Sequence, residues 1–369
     1  MYKRQVASIG VIGGGIGGLA SAWLLDARYR VTLLEANDYV GGHTHTLTVD
    51  DPRGAFPVDT GIMVFNRPNY PLLTGMFGEL GVATYPTCMS FAASLDGGAT
   101  EYAGSDLTVL FGQRANLLRP GFLRMLWEIL GFNRAALSFL REAPAPGLSL
   151  GEFLAQGGYS ERFETQYLLP MAAAIWSCPT DQMRAFPFLS FARFFKNHGL
   201  LSIVDRPDWE TVRGGSRVYV ERILTRMRGE VRTACPVARV RRTDSGVEVT
   251  TQAGERLAFD AVVFGCHGDQ ALAMLEDTSP LEDELLGAFR YQPNQVFLHM
   301  DRALMPRRRR VWSSWNYLRA PGESPEGPVT VTYWMNRLQD LPTDRDIFVS
   351  LNPTRPPRPG SVIAELAYD

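Results

Sequence analysis

The stretch GVIGGGIGG sets glycine at Gly10, Gly13, Gly14, Gly15, Gly17 and Gly18, and nothing else in the chain constrains its fold as tightly. It sits inside an uncharged run from Val6 to Leu25, behind Lys3 and Arg4. A positive start and an apolar run of this length also mark secretory leaders and membrane spans. Glycine, however, costs about 1 kcal/mol relative to alanine in a helix interior, so a spanning helix interrupted this often is a poor one. Val6, Ile9, Val11 and Ile12 form a short apolar block suited to a buried parallel strand. Ile16, Leu19, Ala20, Trp23 and Leu24 then recur at the spacing of a packed helix face. The chain reads strand, tight turn, helix.

Within the turn, Gly13, Gly15 and Gly18 match G-x-G-x-x-G. The first glycine permits a sharp turn, the second lets backbone approach a pyrophosphate, and the third lets helix and strand pack closely. The N–H groups and dipole of the helix N-terminus face the anion. A second strand, RVTLLEA, ends in Glu35, about 20 residues on, where a carboxylate holds a ribose hydroxyl. An acid there disfavours a 2′-phosphate, so FAD or NAD fits better than NADP. The competing reading is a glycine-rich turn that serves structure alone.

A chain of 369 residues can bury a substantial core and is long enough for two domains. Lys+Arg number 37 and Asp+Glu 39, a net charge of −2, so no global field draws the chain to nucleic acid. Cys88, Cys178, Cys235 and Cys266 lack C-x-x-C spacing, against a structural zinc site or a disulfide framework. With no convincing leader, a reducing cytoplasm is the expected setting.

Further along, THTLTV alternates as a strand does, and VRGGSRVYVERILTRM reads as a turn entering a helix. CPVARVRRTDSGVEVTTQAGERLAFDAVVFGC supplies short strands with turns at Ser245-Gly246 and Ala253-Gly254, expected to complete the sheet begun at Val6. The nucleotide domain is therefore expected to be discontinuous, formed by 1–70 and 208–270. Residues 71–207 and 271–369 are left for a substrate domain. No internal repeat is visible.

The fingerprint, EANDYVGGH, VDTG and the block VRGGSRVYVERI … ACPVARV … FDAVVFGC together resemble the flavin-containing amine oxidase, protoporphyrinogen oxidase and phytoene desaturase superfamily. MSFAASL, AAAIWSCP, FKNHGLL, LHMDRALMP and SSWNY are similar to a bacterial subgroup of FAD-binding oxidoreductases within it. The resemblance implies an α/β fold: a Rossmann-like, doubly wound FAD domain with a mixed α+β substrate domain over the flavin. Carried over by position, Gly13, Gly15 and Gly18 would meet the pyrophosphate and Glu35 the adenosine ribose. Gly42 and His43 would lie near the phosphates, Thr60 and Gly61 near the flavin, and the main chain of Val237 by the adenine. The full candidate set for the cofactor adds Gly14, Ile16, Gly17, Ala36, Gly41 and Ile62. Two departures stand out. Many amine oxidases of the superfamily carry a lysine near flavin N5, whereas no lysine follows Lys196. The family's glycine-rich closing segment is also expected after AELAYD, where this sequence stops.

A flavin carries the redox chemistry itself, so few ionisable side chains are required, and no catalytic residue is assigned. No second G-x-G-x-x-G lies between a strand and a helix, so electrons are expected to pass from an organic substrate to an external acceptor. His43 and His45 would share a strand face, which invites a metal. Without an accompanying carboxylate or cysteine cluster, contact with phosphate or flavin is the preferred reading. His198 reads as a substrate-side acid or base or as a structural histidine, His267 as a neighbour of the cofactor, and His299 with Asp301 as structural. Cys178 reads as a small buried residue. PGFLRMLWEILGFNRAALSFLRE puts Leu123, Leu126, Trp127 and Leu130 on one helical face near Arg119, Arg124 and Arg134. That pattern fits a helix packed in the substrate domain, and also one resting on a membrane surface. FPFLSFARFF suggests an apolar pocket, and PRRRR a solvated charged loop. The resulting expectation is an FAD-dependent oxidoreductase taking a hydride equivalent from an apolar substrate, an acyl or isoprenoid lipid, with peripheral membrane contact. The alternatives are a flavin amine oxidase and a nucleotide-binding protein or fragment without turnover.

Overall fold

The computed structural model describes residues 7–103, 118–142, 147–176, 180–202, 207–323 and 330–368. The strand β1 (Ser8–Ile12) is buried along its whole length, as its apolar sequence requires. It pairs in parallel with β2 (Arg30–Leu34) on one side and with Ala261–Phe264 on the other. Glu230–Arg232 adds a fourth parallel strand outside β2. The helix α1 (Ile16–Asp26) connects β1 to β2 and packs Leu19 and Ala22 against Ile9, Val11, Val31 and Leu33. Gly18 makes that approach close: a Cβ there would stand 1.8 Å from the Gly13 carbonyl oxygen.

The later block joins this sheet only in part. Glu230–Arg232 and Ala261–Phe264 enter it, whereas Val237–Thr243, Gly246–Thr251 and Arg256–Phe259 form a separate three-stranded antiparallel sheet. Short turns at Ser245-Gly246 and Ala253-Gly254 account for this correction, because neighbours in a parallel sheet need long crossovers and hairpins do not supply them.

A seven-stranded sheet forms the second half, in the order 362–368, 294–299, 348–351, 330–334, 315–318, 91–95, 100–103. It is antiparallel except where Trp315–Leu318 runs parallel to Phe91–Leu95. Helices cover it. Pro120–Arg141 starts with proline in its first turn, and Leu150–Gly157 carries a Ser149/Glu152 capping box and a left-handed Gly158. A π-helical turn at Glu164–Leu168 leads into Leu169–Trp176. Phe188, Phe191 and Phe195 of the helix Phe188–Asn197 are buried with Phe132, Phe153 and Phe163. The FPFLSFARFF run therefore fills the core of the helical layer and does not wall a pocket, a second correction. Among the described residues no helix is long and apolar enough to cross a membrane.

The hairpin Thr46–Val49/Phe56–Asp59 ties the halves together. Asp59, fully buried, accepts hydrogen bonds from the Ser216 N–H at 2.9 Å and its hydroxyl at 2.8 Å, beside the Gly214-Gly215 turn. It also accepts from the Thr46 hydroxyl at 2.5 Å and from Gln339 Nε2 at 3.0 Å. Burial holds this carboxyl above the usual carboxylate range, against the pull of the donors around it.

Candidate functional site

At the carboxyl ends of β1 and β2, where ligands enter open α/β sheets, lies a cleft of about 680 Å³. Gly13, Gly14, Gly15, Ile16, Gly17, Glu35, Ala36, Gly41, Gly42, His43, Ile62 and Val237 all line it. Gly18 serves the packing of α1 instead, while Thr60 and Gly61 face a neighbouring cavity. Gly13 turns with φ +100° and donates its N–H to the Leu34 carbonyl. A Cβ on Gly13 would meet the Gly265 main chain at 2.8 Å. Gly15 differs: a Cβ there would find its nearest atom 4.0 Å away, and one on Gly17 would find nothing within 4 Å. These two glycines open onto the cleft at the start of α1, where the first-turn N–H groups have no intrahelical acceptor. The wall is therefore backbone with open space in front of it.

Glu35 is buried and already engaged. One carboxylate oxygen accepts the Gly14 N–H at 2.6 Å, the other the Asn37 N–H at 2.8 Å. Each oxygen keeps a further lone pair for a ligand hydroxyl. The carboxylate thus fixes the glycine turn and the chain after β2 while still facing the cleft.

His267 follows the strand Ala261–Phe264 and precedes the helix Gly268–Met274. Its ring stacks on Tyr291 at 4.0 Å and an interplanar angle of 4°. Its Nδ1 is buried beside the first turn of that helix and makes no hydrogen bond of good geometry. His43 lies 6.0 Å from it, ring centroid to ring centroid, and borders both the cleft and the second cavity. Cys235 and Cys266 also line the cleft, and burial pushes the Cys266 thiol up to about 11. Cys178 lies outside the described residues.

The second cavity, about 800 Å³, shares His43, Ile62 and Tyr368 with the cleft. At this junction the Tyr368 hydroxyl bonds Thr60 Oγ1 at 2.7 Å and His45 Nδ1 at 2.9 Å, with the His43 ring edge-on at 5.0 Å. Burial lowers the His45 imidazole and pushes the Tyr368 phenol up to about 12, so both are neutral near pH 7. His43 and His45 thus converge on Tyr368. Among the described residues no group of three His, Cys, Asp or Glu is placed to hold a metal ion. Gly61 is required where it stands, since a Cβ would lie 2.0 Å from the His43 carbonyl oxygen.

Beyond Ile175, which lines both spaces, a third chamber of about 110 Å³ lies under the helix Pro120–Arg141. Met89, Phe91, Met125, Leu126, Ile129 and Trp315 are among its walls. His198 is outside all three spaces: Nδ1 bonds the Phe194 carbonyl at 2.9 Å and the ring stacks on Phe194. His299 is a buried structural group between Ser350 and the Asp301 N–H. The PRRRR segment is not simply a solvated loop. Arg308 bonds buried Glu101 at 2.7 Å, and Arg309 bonds Asp346 at 3.0 Å while lying over Trp312.

Sequence reasoning passed over Asp59, Tyr291 and Tyr368. Asp59 alone left a signal, an acid in the otherwise apolar FPVD strand.

Comparison with known proteins agrees with this geometry. Polyamine oxidase 2 of Arabidopsis thaliana is 34% identical over 111 residues, 28% of this chain and 21% of its own length. AofH of Mycobacterium tuberculosis, provisionally named a flavin-containing monoamine oxidase, is 28% identical over 265 residues, 69% of this chain and 55% of its own. The chain therefore spans about half or less of these curated relatives. A fatty acid isomerase from P. acnes that produces CLA shares the fold with a TM-score of 0.66 at 15% identity, covering 100% of this chain and 87% of the isomerase. A sequence profile for flavin containing amine oxidoreductases matches residues 16–351, which span both halves of the fold, starting just after Gly13–Gly15 and ending before Tyr368. The chain belongs to this family, whose members bind FAD.

Proposed function

We propose that the chain is an FAD-dependent oxidoreductase that removes a hydride equivalent from an apolar substrate, an acyl or isoprenoid lipid, and passes the electrons to an external acceptor. The observation that carries this reading is the succession of neighbouring spaces with shared walls: nucleotide cleft and second cavity meet at His43, Ile62 and Tyr368, and second cavity and apolar chamber at Ile175. Its domain division is 1–70 with 208–270 for the cofactor and 71–207 with 271–369 for the substrate.

The residues present fit FAD. The open faces of Gly15 and Gly17 leave room for a diphosphate, and the cleft is of coenzyme size. Gly13, Gly14, Gly15, Ile16 and Gly17 would hold the diphosphate, with Gly18 keeping the turn tight. Glu35, Ala36 and Val237 would hold the adenosine. Gly41, Gly42 and His43 close the phosphate side, and Thr60, Gly61 and Ile62 stand at the flavin end. When bound, FAD supplies the hydride-accepting centre.

The protein's own work is to orient and to exclude water. Tyr368 carries its proton at Oη between Thr60 Oγ1 and His45 Nδ1, closing the junction with neutral groups. Ile175 stands between the second cavity and the chamber, whose apolar walls would desolvate a hydrocarbon chain. Arg290 lines the second cavity, and a guanidinium there repels an ammonium substrate. That disfavours amine oxidation, the alternative favoured by the names of the curated relatives. A substrate resident in a bilayer further implies peripheral contact with a membrane.

The test is a visible spectrum of the purified protein and its anaerobic bleaching. Yellow protein bleached by an acyl or isoprenoid lipid supports the reading. Bleaching by polyamines and not by lipids replaces it with amine oxidation. Protein that flavin cannot reconstitute leaves a nucleotide-binding scaffold.

A further inference from the structure

The helix Pro120–Arg141 has two faces with different surroundings. Inward, Met125 is fully buried, and Met125, Leu126 and Ile129 form one wall of the apolar chamber. Outward, at the i, i+4, i+11, i+18 spacing of one helix face, Leu123, Trp127, Arg134 and Arg141 are all exposed. Trp127 is 74% exposed and Leu123 40%, one turn apart on this face. Arg124, about 100° around the helix from Leu123, is paired with Glu128, which also accepts from Ser160. The exposed face is therefore apolar toward its N-terminal end and cationic toward its C-terminal end.

We infer that this face docks on an anionic lipid surface, seating Leu123 and Trp127 among the acyl chains with Arg134 and Arg141 against the headgroups. The inference rests on the proposed apolar substrate and names the surface from which it is taken. Charge complementarity selects the partner: the outward stripe carries guanidinium groups, and each basic side chain near an anionic bilayer adds to binding. A tryptophan with one wet edge is at home at such an interface. The placement also brings the bilayer to the outer side of the helix whose inner side lines the chamber. A lipid chain then needs to pass one helix thickness to leave the membrane for the protein.

The experiment uses the full chain loaded with FAD, floated with vesicles of phosphatidylcholine alone or mixed with phosphatidylglycerol. Binding is expected to the anionic vesicles, to fall with salt, and to weaken about tenfold in the pair Arg134→Glu and Arg141→Glu. Trp127→Glu should abolish it. Unfolding midpoints should stay within experimental error of the parent, because these side chains project into solvent. Equal binding to neutral vesicles, or binding unchanged by these substitutions, overturns the inference. Self-association in sedimentation that Trp127→Glu dissolves, without vesicle binding, assigns the face to a second copy and overturns it too. Detergent-dispersed lipid separates the two levels. If it bleaches the flavin while vesicles do not bind, the docking surface fails and the substrate reading stands.

Discussion

Gly15 and Gly18 are both glycines of the fingerprint, yet the structure assigns them opposite sensitivities to the same added methyl group. Gly15 has φ −65° and ψ 175°, angles any residue adopts, and its Cβ would lie 4.0 Å from the nearest atom. Gly15→Ala is therefore expected to keep the flavin-free protein within about 1 kcal/mol of the parent, the lost freedom of the unfolded chain offsetting alanine's poorer fit at the N-cap. The new methyl occupies the open side of the cradle. If the diphosphate sits there, it meets an overpacking cost of about 1–3 kcal/mol and is held off N–H groups whose bonds to an anion are worth about 1.5–3 kcal/mol each. A loss near 3 kcal/mol is about a hundredfold in FAD affinity. Gly18→Ala puts its methyl 1.8 Å from a main-chain oxygen, which has nowhere to move. That variant should lose stability outright. Urea unfolding of the flavin-free proteins gives the first quantity, and quenching of flavin fluorescence on titration gives the second. FAD affinity of Gly15→Ala within threefold of the parent would refute the placement of the diphosphate, whatever the family pattern suggests.

Three other perturbations follow from named contacts. Glu35→Gln replaces one of two acceptor oxygens with an NH₂ group, so either the Gly14 or the Asn37 N–H is left facing a donor; urea unfolding should show a loss of about 1–3 kcal/mol even without FAD. Asp59→Asn replaces one of the two oxygens that gather Thr46, Ser216 and Gln339 with a donor, leaves a buried N–H facing it, and should cost about 1–3 kcal/mol in the same assay. His299 is pushed down to about 4 by burial, so between that value and an unfolded pKa near 6.5 the unfolded chain binds more protons than the native one. Stability should fall as pH drops through this window, by about 3 kcal/mol in all, and His299→Asn should flatten that part of the profile. His45 and His198 are lowered too and add in the same direction, so the readout is the difference between parent and variant.

The first βαβ unit was legible because its determinants are local. Glycine spacing, an apolar block and a helical stripe lie within Val6–Glu35, and all of Gly13, Gly15, Glu35 and Val237 do border one cleft. Less legible was anything decided by partners distant in sequence. FPFLSFARFF has the same composition whether it walls a pocket or fills a core, and only its contacts with Phe132, Phe153 and Phe163 settle which. The arginines of PRRRR read as solvated until Glu101 and Asp346 are placed beside them.

Glu35 shows why a motif gives a ligand more readily than a job. At the end of β2 the carboxylate was expected to meet a ribose, and its position at the cleft allows that. Its two shortest bonds, however, go to the protein's own N–H groups, one of them Gly14 in the loop that would cradle the diphosphate. A buried carboxylate without partners is expensive, and the glycine loop and Asn37 satisfy this one from within the protein. Ribose and loop therefore compete for no lone pair but share one anchor. Loss of that anchor should loosen both ends of the cofactor site together, adenosine and diphosphate, where a residue that touched only the ribose would loosen one.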